Sequence, residues 1–128
     1  MATRDRTLPF LVLAIAVLLA THDADHLLNQ ERLGEVGTGF WAFTSIQYAG
    51  LAAVLLLAVR GGRAALGAVT ALAVVVLAGF VVAHAAPFGL QPYGDVEAPL
   101  ASWATVLAPM LAAAAALVVL FRRGAEGS

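Results

Sequence analysis

Apolar residues occupy four long stretches of the chain, and short polar segments separate them. Between charged or histidine positions, the uninterrupted stretches cover residues 7–21, 36–59, 64–83 and 98–121. The last three are close to the roughly 20 residues that an α-helix needs to cross a hydrocarbon core about 30 Å thick. The first reaches that length only if its helix continues through a polar cluster to Leu28. The pattern therefore predicts four transmembrane helices, at about 8–28, 39–59, 65–86 and 99–121.

Composition supports a membrane protein with a single domain over residues 1–128. Hydrophobic residues make up 62% of the chain and charged residues 12%, against roughly 45–50% and about 25% in ordinary globular proteins. A soluble domain of this size has a large surface and needs more charge to cover it. The sequence contains no cysteine and no lysine, which excludes disulfides, thiolate metal sites and a retinal-type Schiff base. The net charge of -1 gives no reason to expect nucleic acid as a partner.

The arginines indicate how the predicted helices are oriented. Most of them flank the helix ends on one side of the predicted bundle: Arg4, Arg6, Arg60, Arg63, Arg122 and Arg123. The loops of the other side are mainly acidic: Glu31, Arg32 and Glu35, then Asp95 and Glu97. Short arginine-rich loops stay cytoplasmic, so we predict an all-α, up-down-up-down four-helix bundle in the cell membrane with both termini inside. Cleavage of the first segment as a signal peptide is disfavoured, because Leu18 occupies the -3 position before Ala20.

A polar cluster lies at the outer end of the first predicted helix. His22, Asp25, His26 and Asn29 are spaced by three and four residues, so they share one face if the helix persists. Asp23 points about 100° away from His22 and is the weaker member. His84, the remaining histidine, ends the third predicted helix at the same depth and on the same side. Ionisable residues inside a membrane are costly and indicate function by default.

These residue types predict a metal site whose ligands are His22, Asp25, His26 and His84. Imidazole and carboxylate ligands without a thiolate suit a divalent transition metal such as Zn²⁺, Cu²⁺ or Fe²⁺. Asp25 is either the fourth ligand or a catalytic general base beside a metal-bound water. We expect a lipophilic substrate or cofactor to enter near Gln47 and Tyr48, in the outer half of the second helix.

Other interpretations remain open at this stage, including whether the chain is an enzyme. Haem b, or a quinone, is an alternative cofactor, with His84 and either His22 or His26 as axial ligands across the bundle. A second alternative is that the chain is a non-catalytic subunit or stabiliser of a larger membrane complex. Its partner is then another membrane protein, or a second copy of the chain in a homo-oligomer. In the last interpretation, the cluster marks only where the first helix leaves the membrane, with Asp23 and Asp25 solvated; histidine is favoured at a helix C-terminus, whereas carboxylates are not.

Overall fold

Helices make up the secondary structure of the part of the chain that the computed structural model describes, which is residues 6–33, 36–84 and 100–126. The helices are α1 (Thr7–Leu28), the single turn α2 (Gln30–Leu33), α3 (Thr38–Arg60), α4 (Gly62–His84) and α5 (Leu100–Glu126). The predicted flanking residues Arg4, Glu35, Asp95 and Glu97 lie outside the described residues, as do positions 85, 86 and 99 of the predicted helices.

Four of these helices are long and apolar enough to cross a membrane, which confirms the all-helical membrane prediction. They are α1, α3, α4 and residues Leu100–Gly124 of α5. Large apolar side chains cover their outer surfaces; Phe10, Ile46 and Phe121, for example, are 68%, 73% and 75% exposed. In water such a surface would be costly, whereas lipid tails are as apolar as these side chains.

The four long helices form a ring in which each packs on two neighbours. The extensive contacts join α1 to α3, α3 to α4, α4 to α5 and α5 back to α1, while α1 and α4 touch less and face each other across the ring. Fully buried alanines on α4 and α5, among them Ala73 and Ala113, let the two backbones approach closely. A tight turn joins α3 to α4, where Gly61 and Gly62 have φ angles of 79° and 87° that favour glycine.

Each long helix turns one row of side chains towards the interior of the ring. On α1 this buried row is Val12, Ile15, Leu19 and His22. On α4 it is Ala65, Val69, Ala73, Val76 and Phe80. Both rows advance by three or four residues, the spacing that keeps side chains on one helix face. Any polar residue that continues a row therefore points into the bundle.

Polar contacts lie at both ends of the ring. At one end, Nη2 of Arg123 donates to Oγ1 of Thr7 over 2.7 Å, which ties the end of α5 to the start of α1. At the other end, the last turns of α1 contact the early turns of α3 and α5. That second end holds the predicted polar cluster.

Candidate metal centre

The three histidines continue the buried rows of α1 and α4. His26 follows His22 by four residues on α1, and His84 follows Phe80 by four residues on α4. Because α1 stays helical through this region to Leu28, the periodicity that buries Leu19 also carries both of its histidines inward. The two rows meet at the same end of the ring, so their final members come together. We call His22, His26 and His84 the histidine group.

The geometry of the histidine group fits a single metal ion. One ring nitrogen from each residue lies within 4.8 Å of the others. The ring centroids of His22 lie 4.7 Å from His26 and 5.0 Å from His84, with both pairs of rings nearly perpendicular. In a tetrahedral site with metal–nitrogen bonds of 2.0–2.1 Å, ligating nitrogens lie roughly 3.3 Å apart. Side-chain movements of roughly 1 Å therefore bring the three nitrogens to bonding distance of a common centre.

The three histidines are buried to different extents. His22 is only 7% exposed, whereas His26 and His84 are half-buried. Phe80 packs against the rings of His22 and His84, with centroid distances of 4.8 Å and 5.4 Å. The ring of Phe40 lies 6.1 Å from that of His26. Aromatic rings therefore line the group on two sides, and such an apolar surround limits the access of solvent to a metal site.

The Asp25 carboxylate lies against α5. Its Oδ1 accepts hydrogen bonds from Nδ2 of Asn29 at 2.8 Å and from Oγ of Ser102 at 3.0 Å. Its Oδ2 lies 3.5 Å from Oγ1 of Thr105. The group of converging metal-binding atoms consists of histidines and does not include Asp25. The roles predicted for Asp25, as a ligand and as a general base, stay predictions.

Asp23 makes a second polar contact between helices, on the side of α1 that faces α3. Its Oδ2 accepts hydrogen bonds from OH of Tyr48 at 2.8 Å and from Nε2 of Gln47 at 3.1 Å. Asp23 is the weaker member of the predicted cluster because it points away from His22, yet the same rotation directs it at α3. Gln47 and Tyr48 thus contact a carboxylate of α1, and their predicted cofactor-binding role stays a prediction.

The contact between Asp23 and Tyr48 is expected to stabilise the packing of α1 on α3. In a double-mutant cycle of Asp23→Ala and Tyr48→Phe, we expect a coupling free energy of about 0.6–1.7 kcal/mol, between the average and the largest value for interhelical hydrogen bonds in membranes. The measurement is the free energy of unfolding in mixed detergent micelles. Thr21 lies two residues before Asp23, is exposed and bonds to its own helix, so Thr21→Ala combined with Tyr48→Phe should be additive. Additivity of Asp23→Ala and Tyr48→Phe as well would contradict the contact.

The comparisons with known proteins leave the site to be interpreted from its own geometry. No protein-family model, no curated protein and no solved structure matches the chain. Chemically, the site offers three imidazole ligands at the end of a membrane bundle, with a carboxylate on each side of them. Three protein ligands leave a coordination position for water or substrate, the ligand count of catalytic zinc sites.

Proposed function

We propose that this protein is a small multi-pass membrane protein that binds one divalent transition-metal ion through His22, His26 and His84. The observation that supports it is the convergence of three ring nitrogens within 4.8 Å, from helices that face each other across the ring. An all-imidazole set suits Zn²⁺, Cu²⁺, Fe²⁺ or Ni²⁺, and the absence of thiolate and thioether ligands disfavours Cu(I).

The site belongs, in this proposal, to the outer half of the cell membrane, in an up-down-up-down bundle with both termini in the cytoplasm. The support for this orientation is the charge distribution along the chain. Arginines flank the helix ends that lie away from the histidine group: Arg6, Arg60, Arg63, Arg122 and Arg123. Arginine-rich flanks of this kind stay on the cytoplasmic side. The metal ion would then enter from the exterior, past the half-buried His26 and His84.

The chemistry proposed for the site is activation of a water molecule or polarisation of a substrate oxygen at the fourth coordination position. Three neutral imidazoles leave the charge of a divalent ion uncompensated, which strengthens its action as a Lewis acid. A substrate that reaches such a site from the membrane is lipophilic. Asp23 and Asp25 flank the histidine group and supply the two nearby carboxylates of α1.

Metal content of the purified protein tests the proposal. We expect one ion per chain in wild-type protein that has been loaded with Zn²⁺ or Co²⁺ and desalted in detergent, and none in His22→Ala/His26→Ala. Thr21→Val is the matched control because Thr21 precedes His22 on the same helix but is exposed. Its metal content should equal that of wild type.

Three results would contradict the proposal, and the last two of them would each favour a different function. Equal, substoichiometric metal in wild type and His22→Ala/His26→Ala would remove the metal site. A Soret band in the visible spectrum would favour haem, which would require His26 and Phe80 to move away from the contacts that they make with His22. Copurification of one defined membrane protein without metal would favour a non-catalytic subunit.

A further inference from the structure

The hydroxyl group of Thr105 lies where α5 meets the base of the histidine group. Its Oγ1 is 2.8 Å from the backbone carbonyl oxygen of Ser102 and 3.5 Å from Nδ1 of His22. It is also 3.5 Å from Oδ2 of Asp25. The position of α5 is closely fixed here, because Ser102 is 0% and Val106 only 2% exposed. The hydroxyl oxygen is thus held beside one nitrogen of the most deeply buried histidine.

The number of protons on these groups determines which atom donates in each hydrogen bond of the Thr105 hydroxyl. A threonine hydroxyl has one proton and two lone pairs. Two of its neighbours, the Ser102 carbonyl oxygen and the Asp25 carboxylate, can only accept. The hydroxyl proton is directed to one of them, and the distances favour Ser102. With its proton directed to Ser102, the hydroxyl can only accept from Nδ1 of His22, so a hydrogen bond there requires the proton to be on the imidazole.

From this geometry we infer that Thr105 is a positioning residue that holds His22 in the tautomer with its proton on Nδ1. The lone pair of His22 is then on Nε2, which becomes the metal-binding atom. This inference rests on the proposed function for its second half, the binding of metal. Ligating histidines commonly bond through the ring nitrogen away from the metal, and this bond fixes their tautomer and orientation.

Asp25 completes the arrangement through its position beside Thr105. Asn29 and Ser102 both donate to its Oδ1, which holds the carboxylate beside Thr105. A carboxylate close to the hydroxyl favours hydroxyl-proton orientations that point away from His22, because the proton is attracted to negative charge. Asp25 and Thr105 therefore influence the proposed metal site through the tautomer of His22.

Valine and serine at position 105 separate the hydroxyl from the shape of the side chain. Thr105→Val keeps the shape and removes the hydroxyl, whereas Thr105→Ser keeps the hydroxyl. Thr70→Val is the matched control, because Thr70 is also a half-buried helix threonine bonded to a carbonyl of its own helix. It lies about four turns from His84 on α4.

Two measurements test the inference, and the first needs no metal. Two-bond ¹H–¹⁵N correlation spectra of metal-free protein with labelled histidine rings report the tautomer, and the His22 signals are assigned by their loss in His22→Ala. We expect the Nδ1-protonated form in wild type, Thr105→Ser and Thr70→Val, and a mixture of tautomers in Thr105→Val. Competition with a zinc-binding dye then gives affinities, which should fall about 10–100-fold in Thr105→Val and recover in Thr105→Ser.

The outcomes distinguish this inference from the proposed function. An Nε2-protonated His22 in wild type would overturn the inference even if Zn²⁺ binds. The same holds if Thr105→Val changes neither tautomer nor affinity, or if Thr105→Ser behaves like Thr105→Val. Failure of wild type to bind Zn²⁺ would overturn the proposed function and the ligand assignment of His22 Nε2, whereas the spectra would still decide the role of Thr105 in setting the tautomer.

Discussion

The His84→Ala variant is expected to bind Zn²⁺ at least about 100-fold more weakly than wild type, a loss beyond the 10–100-fold typical when a partner of a ligand is removed. The variant retains His22 and His26, one turn apart on α1, and loses the only nitrogen that α4 contributes to the histidine group. Two ligands from a single helix leave half of a tetrahedral coordination sphere to water. Competition with a zinc-binding dye in detergent measures the change.

Val82→Ala is the control for His84→Ala. Val82 lies two residues earlier on α4 and is 58% exposed, so its truncation alters the same helix end without touching the site. Its affinity for Zn²⁺ should match that of wild type. If His84→Ala retained wild-type affinity, α1 alone would bind the ion, and the convergence of α1 and α4 would have no part in it. The visible spectrum of bound Co²⁺ gives a second readout, because it reports the loss of tetrahedral coordination.

Zinc is expected to stabilise the folded bundle by about 2.7 kcal/mol when its free concentration is 100 times the dissociation constant. The physical reason is that the ion binds the folded chain, in which α1 and α4 present their nitrogens together, in preference to the unfolded chain. Those helices face each other across the ring and touch less than neighbours do, so the ion adds a link between two helices whose direct packing is slight. The free energy of unfolding, measured with and without Zn²⁺ in mixed micelles, gives the value.

The His84→Ala variant serves again as the comparison for this second prediction. At the same Zn²⁺ concentration, it should gain little stability, because an ion held only by α1 does not join two helices. Thr21→Val should gain as much as wild type, since its exposed side chain lies outside the site. Equal stabilisation of wild type and His84→Ala would mean that Zn²⁺ acts elsewhere on the protein, and the prediction would be wrong.

Helix number and the location of the polar cluster could be predicted from the sequence because both depend on local patterns. Length and hydrophobicity alone identify helices that can cross a membrane. The spacing of His22 and His26 also places both on the face that continues Leu19. The approach of His84 to this pair depends on how α4 is rotated against α1. That rotation depends on packing along whole buried rows, including the small residues Ala73 and Ala113. It therefore cannot be predicted from the local sequence pattern of either helix.

The two aspartates show where counting residues along one helix misleads. At 100° per residue, Asp25 lies about 60° from His22 and about 100° from His26, whereas Asp23 lies about 100° from His22 and about 60° from His26. Measured from His22 alone, Asp25 appears to belong to the site and Asp23 does not. Measured from the direction midway between His22 and His26, the two aspartates lie at equal angles on opposite sides. The partners on α5 and α3 distinguish them, and those contacts join residues far apart in the sequence.

The buried rows also have a consequence for how such a site arises in evolution. The histidines end two buried rows whose earlier members are all apolar, so apolar side chains would suit the same positions. A bundle could therefore gain or lose the histidine group through three point substitutions, with its loops and helix lengths unchanged. Descendants of one such scaffold could differ in chemistry while remaining nearly identical in architecture. The residues at the ends of the buried rows of α1 and α4 would distinguish them.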